Sequence, residues 1–305
     1  MKNLSCLLLV SFFLFSCEKE ISLPVRTDER KGVVNAILCA DSLIHTLSLS
    51  FTCPITENCD KKIDTESPKL QIDERECPTE PIGNNRFLAM ASQPLSFQSK
   101  VSLHSAFVGM PTVHAEEEVP CKPQIIGINF HWEKGETAEK DKLHFDIKIG
   151  KQAHPEYFRI LLWVKTDYKG SSDDKFIQCP ILPGSDPLFV SPTELLDEMD
   201  KRAYYIFSRQ GVITRDYLIT PAISLSHPDR MKENTWGIEI AKVEVKIELQ
   251  GLSPSLYHYM VSLLRYRESS PFSEPVKLYS NVHNGYGILG IYNPTSRNQI
   301  VYESK

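Results

Sequence analysis

The densest set of oxygen and nitrogen donors in the chain is His114-Ala115-Glu116-Glu117-Glu118. Imidazole and carboxylate at that spacing are the ligand types of a divalent metal ion. A run of charge is also the ordinary solvated face of a strand or helix, and that is the reading adopted, so no metal and no cofactor are expected. The remaining histidines are scattered, with no i, i+4 pair on a predicted helix. The chain has no G-x-S-x-G elbow, no H-E-x-x-H, no Walker loop and no dinucleotide fingerprint. Two acids can converge in space without a sequence signature, so a hydrolase is weakened as a reading rather than removed. Trp132, Trp163 and Trp236 could stack on a sugar, but Trp163 lies in the apolar run Ile160-Leu161-Leu162-Trp163-Val164, where core packing is expected. Asp41-Ser42-Leu43 fits a short O-glycosylation acceptor, a match too brief to carry weight.

The next chemistry is covalent and lies at the start of the chain. Met1-Lys2-Asn3 is a short basic opening to the apolar run Leu7 to Phe15. A bilayer span needs about 20 apolar residues, so this run suits a signal-peptide core. Leu14-Phe15-Ser16-Cys17 resembles a bacterial lipobox, in which Cys17 receives lipid. One acyl chain holds a protein only marginally, whereas several hold it firmly. Residues 1–16 are therefore expected to be a signal peptide, and 17–31 a lipidated Cys with a polar tether. Cys6 leaves with the signal. Cys39, Cys53, Cys59, Cys77, Cys121 and Cys179 remain, an even set in an oxidising compartment for which structural disulfides are the favoured expectation, with connectivity open and room for some of the six to be free.

Composition bounds the rest. The 305 residues are 41% hydrophobic and 24% charged, the balance of a globular protein with room for one or two domains. Thirty-four Lys+Arg against 39 Asp+Glu give a net charge of −5, and no basic block is present to hold nucleic acid.

The elements that must position these residues are mostly strands. Ala241 to Leu249 alternates Val243, Val245, Ile247 and Leu249 with Lys and Glu, and Lys142 to Ile149 does the same with Leu143, Phe145, Ile147 and Ile149. Such strands have one wet face, the habit of antiparallel sheets. Residues 32–38, 47–51, 100–107, 125–132 and 157–165 are further strands. Ser253-Pro254 reads as an N-cap and first helical residue ahead of the stripe Leu256, Met260, Leu263, Leu264, a helix near 254–266. Ser191-Pro192-Thr193-Glu194 reads as a capping box. Residues 52–84 show no long period and are expected to be loops with one short strand. The Pro-flanked segment Val119–Pro123 reads as a hinge. The expected architecture is mainly β: two tandem β-sandwich domains of immunoglobulin or fibronectin type, 32–121 (Cys-rich) and 122–305, with one or two short helices in the second.

One long C-terminal pattern is distinctive. Leu252-Ser253-Pro254-Ser255-Leu256-Tyr257-His258-Tyr259 leads to Pro271-Phe272-Ser273-Glu274-Pro275-Val276 and then to Leu278-Tyr279-Ser280-Asn281-Val282-His283-Asn284-Gly285-Tyr286-Gly287-Ile288-Leu289-Gly290. It resembles the Bacteroidota outer-membrane lipoprotein family called domain of unknown function 4249. The matching positions are Pro254, Tyr257, Pro275, Tyr279, Ser280, Asn281, Gly285 and Gly287. Tyr286 stands where that family has Leu, and Leu289 where it has Phe. Val33 to Leu38 and the segment around Val113 to Pro120 agree more loosely. The resemblance implies an outer-membrane lipoprotein, often encoded beside a TonB-dependent receptor, with no reaction and no catalytic residues. Asn284-Gly285 suits a tight turn, and Gly287 and Gly290 a close backbone approach; this segment is expected to be structural.

The expected function is that of a lipid-anchored outer-membrane accessory or binding protein, on the periplasmic or cell-surface side, acting with a TonB-dependent receptor in nutrient capture and without catalysis. The rival readings are a surface hydrolase of glycan or peptide and a structural subunit of a surface fibre.

Overall fold

A computed structural model describes residues 30–53, 65–151, 157–170, 175–182, 186, 188–189, 205–208, 216–231, 239–268 and 277–304. Cys17, Cys59, Trp236, Pro275 and the capping box at 191–194 lie outside them. The chain is mainly β. The strands of the first half are β1 (Gly32–Cys39), β2 (Ile44–Phe51), β3 (Lys69–Ile72), β4 (Arg75–Cys77), β5 (Thr79–Gly83), β6 (Arg86–Met90), β7 (Lys100–Ser105) and β8 (Val113–Glu118). The second half holds β9 (Ile125–Glu133), β10 (Lys142–Ile149), β11 (Tyr157–Tyr168), β12 (Ile177–Cys179), β13 (Ile206–Ser208), β14 (Tyr217–Ile219), β15 (Ala222–Ser224), β16 (Ile240–Leu252) and β17 (Tyr286–Glu303). Two α-helices are described: the single turn α1 (Pro228–Met231) and α2 (Pro254–Glu268).

The described strands form three open sheets. A nine-stranded sheet runs β12-β11-β16-β17-β1-β2-β6-β5, with β13 also paired to β11. A second sheet pairs β10 with β9, β14 and β15; a third has the order β4-β3-β7-β8. The alternation legible in the sequence decides which faces meet. Val243, Val245, Ile247 and Leu249 of β16 are buried with Leu143, Phe145, Ile147 and Ile149 of β10 and with Ile160 and Leu162 of β11 in one core. Val34, Ala36 and Leu38 of β1 are buried with Leu70, Val101, Leu103, Val113 and Ala115 in another. Each four-stranded sheet thus covers its own stretch of the long one.

Both stretches depend on β17. Its first seven residues pair in parallel with β1, from Val33↔Tyr286 to Cys39↔Tyr292. From Tyr292 onward it pairs antiparallel with β16, ending at Lys242↔Glu303. Pro294 lacks an N–H and sits where the pairing with β1 has ended, the kind of position where a strand tolerates proline. The segment joining the two halves crosses on that open side. Asn293 Nδ2 donates to the Pro120 carbonyl (3.0 Å) and Thr295 Oγ1 to the Pro123 carbonyl (2.5 Å).

Three expectations need correction. The stretch 52–84 carries more than one short strand: β3, β4 and β5 all fall within its described part. They escape notice because each is only three to five residues long. Asp73 (φ 48°) and Glu74 (φ 67°) form the two-residue left-handed turn between β3 and β4, the geometry that matches the twist of a hairpin. The disulfide framework is also reduced. Cys39, Cys77, Cys121 and Cys179 are free thiols, at the end of β1, in the second core, in the crossing segment and on β12. Cys53 is not among these free thiols. Finally, Trp163 is not a core residue. It stands on the outer face of the long sheet, half-buried, with its cross-strand partner Lys246 5.1 Å over its ring.

One core polar group yields a prediction. His45 on β2 is 2% exposed and its Nε2 has no hydrogen-bond partner among the described residues. Burial pushes its pKa below the ordinary imidazole value, because the cation loses its hydration. The unfolded chain therefore takes up the proton first as pH falls below about 6.5, and stability present above that pH is lost on acidification, at up to about 1.4 kcal/mol per pH unit. Urea denaturation should show this slope in the wild type and a shallower one in His45→Leu; equal slopes would refute the assignment.

Candidate functional site

The acidic run singled out in the sequence becomes β8, the edge strand of the β4-β3-β7-β8 sheet. Alternation sends Val113 and Ala115 into the core and His114, Glu116 and Glu118 outward. On β7 the same rule buries Val101 and Leu103 and presents Lys100, Ser102 and His104. Register then builds rows across the outer face. Glu118 lies opposite Lys100, Glu116 opposite Ser102, and His114 opposite His104; Ser102 in turn faces Gln71, and His104 faces Lys69.

Above these rows is a concavity of about 650 Å³, lined by Gln71, Asp73, Glu74, Lys100, Val101, Ser102, Glu116, Glu117 and Glu118. Its lining carries five carboxylates against one lysine, so its field favours cationic ligands. Asp73 is fixed in the rim. Its Oδ1 accepts the Lys100 N–H at 2.9 Å, and its own N–H donates to the Lys100 carbonyl at 2.8 Å. The Ser99 hydroxyl and that Lys100 N–H hold its carboxyl below the usual range. Glu117 behaves oppositely. It lies on the inward side, with Oε1 accepting the Glu118 N–H at 3.2 Å. Burial pushes its pKa up, opposed in part by Ser255 and Ser253 at the start of α2. Ser102 donates to Gln71 Oε1 at 3.4 Å, an amide that cannot take a proton, so this hydroxyl is not an activated nucleophile. The arrangement is suited to holding a ligand with positive charge or several hydroxyls on a rigid strand-built face.

The C-terminal pattern is brought together elsewhere, around α2 and β17, and its bonds are internal. Pro254 opens α2. Ser253 takes the expected N-cap position, its carbonyl accepting the Tyr257 N–H at 3.0 Å, while its hydroxyl accepts the Ile291 N–H at 3.1 Å and ties the helix to β17. Tyr257 stacks on Tyr157 with centroids 4.3 Å apart. The Tyr279 N–H donates to Ser262 Oγ (2.9 Å), and Ser280 Oγ accepts the Val282 N–H (3.2 Å). Asn281 mimics a strand partner, donating to the Leu289 carbonyl at 2.9 Å and accepting the Leu289 N–H at 3.0 Å. Gly285 and Gly287 let the backbone lie against Gly32 and Val34. Trp132 packs its edge against His227, centroids 4.9 Å apart, and does not meet Trp163.

Two residues of the outer face went unremarked in the sequence, His104 and His283. His104 could have been placed outward from the alternation of Val101 and Leu103. His283 could not, because its partner His114 is far away in the chain and only topology joins them.

A family model described as a domain of unknown function (DUF4249) matches residues 18–298. No curated protein matches the chain.

Proposed function

The chain belongs to the DUF4249 family, and on that premise we propose that it is a lipid-anchored outer-membrane accessory or binding protein, tethered through Cys17 and working beside a TonB-dependent receptor in nutrient capture. The observation that carries the binding role is the acid-lined concavity on the outer face of β3, β7 and β8. Three of its carboxylates lie on β8 and two on the β3–β4 turn that Asp73 ties to Lys100, so little ordering remains to be done when a ligand arrives. The tether reading rests on the apolar leader and the Leu14-Phe15-Ser16-Cys17 sequence. The receptor rests on the resemblance to outer-membrane lipoproteins. The two cores, each closed by its own small sheet against one shared sheet, support reading the chain as two β-sandwich lobes.

The test is to solubilise native outer membranes in mild detergent after crosslinking and recover the tagged full chain with whatever accompanies it. A stoichiometric β-barrel receptor is the expected result, with Cys17→Ala shifting the protein out of the membrane fraction. Recovery of the lipoprotein alone would overturn the partnership. A Cys17→Ala protein that still sediments with membranes would overturn the anchor.

A further inference from the structure

His104, His114 and His283 form one ladder across three adjacent backbone segments on the outer face of the small sheet. The ring centroids of His104 and His114 are 5.9 Å apart and those of His114 and His283 4.7 Å apart, each pair within 13° of parallel. The backbone fixes this register: the His283 N–H donates to the His114 carbonyl at 2.8 Å and the His114 N–H to that of His283 at 3.3 Å. Rings of His114 and His104 are half-buried and that of His283 is exposed. None of the three makes a ring hydrogen bond among the described residues. Cross-strand stacking alone contributes only about 0.2–1 kcal/mol per pair, and it leaves the nitrogen lone pairs unused. One row away on the same face is Glu116, within the strongly acidic surface that concentrates cations.

We propose that His114 and His283, flanked by His104 and Glu116, bind one borderline divalent ion of the zinc, nickel or copper class. Neutral imidazole is a preferred ligand of these ions, whereas calcium and magnesium select oxygen. Among the described residues no three donors already converge on one point, so binding tilts the parallel rings toward each other by side-chain rotation. Backbone movement is not required, because the bridge between residues 114 and 283 already brings the two segments together. The ion pins the 277–285 segment to β8. A second stacked pair, His131 and His144 (4.8 Å), differs because His144 Nε2 is already engaged by Glu133 at 2.7 Å; it serves as the control.

The test is calorimetric titration of zinc and nickel chlorides into the chelator-treated full chain in detergent. Saturable binding of one ion per chain is expected, weakened at least about ten-fold by His114→Asn or by His283→Asn, which is about 1.4 kcal/mol. His144→Asn should bind like the wild type. In the unsubstituted chain, zinc should shift the ring resonances of His114 and His283, a readout independent of how the variants fold. Lack of saturable binding, or binding retained in the His114→Asn/His283→Asn chain, would overturn the proposal.

Discussion

Gly287→Ala is expected to prevent the chain from reaching its native fold, or to cost more than about 4 kcal/mol where it does fold, beyond the usual range for one substitution. Two independent reasons act at this position. Gly287 has φ +117°, a region side chains other than glycine rarely adopt. A Cβ there would also lie 1.9 Å from the Val34 carbonyl oxygen and 2.7 Å from its carbon. Those are backbone atoms of the parallel partner strand, since Val34 is paired with Gly287, so no rotamer change relieves the overlap. Relief requires moving β17 off β1. Leu289 and Ile291 sit two and four residues on in the same strand and are buried in the core that β1 also lines, so their burial is lost with it. Gly127→Ala is the comparison. Its Cβ would meet only the Lys148 side chain, at an ordinary 3.6 Å, and about 0.5 kcal/mol or less is expected. Thermal melts of the two proteins should differ sharply, and coincident melts would disprove the account.

What the sequence conveyed follows from the range of its signals. β10 and β16 were legible because a period of two over eight or more residues is a local property. Helix α2 was legible from Ser253-Pro254 and from Leu256 and Met260, both of which are buried. Pairings between distant segments were not. No local pattern announces that β1 lies parallel to β17, and that single pairing turns two separate halves into neighbours on one sheet. The acidic stretch at 114–118 could be seen as a cluster of donors, but its three-histidine ladder depends on that same topology. Trp163 was misjudged because five apolar residues in a row look uniformly buried, whereas a strand alternates: Leu162 and Val164 face the core and Trp163 between them does not. The cysteines misled by count. An even six suggests pairing, yet Cys39, Cys77 and Cys179 are fixed on separate strands and Cys121 in the crossing segment, all as free thiols, and disulfide geometry tolerates only short separations.

Asp141→Asn should destabilise the second half by about 3–5 kcal/mol, the range found when one member of a buried ion pair is removed. Asp141 is 0% exposed. Its Oδ1 accepts the Gly135 N–H at 2.9 Å and Arg230 Nη1 at 2.6 Å, and its Oδ2 accepts the His227 N–H at 3.0 Å. One carboxylate thereby joins the turn after β9, the start of β10 and the turn of α1. Burial works to raise its pKa, but the N–H groups of His227 and Gly135 together with Arg230 outweigh it and hold the carboxyl below the usual range. A depressed carboxyl contributes stability above its unfolded value, about pH 3.9, and that contribution is lost as pH falls through the lower folded value. The amide keeps the shape but removes the charge, and it turns one acceptor toward donors with an NH₂ that cannot accept. Arg230, whose side chain is 28% exposed, is left without its counter-charge, though it still reaches the Gly135 carbonyl at 2.8 Å. Replacing both partners, as in Asp141→Leu with Arg230→Met, should therefore cost less than the two single changes added together. Urea denaturation of the three variants measures this coupling. Strict additivity, or an Asp141→Asn protein within about 0.5 kcal/mol of the wild type, would show that the carboxylate only decorates a junction that other contacts already hold.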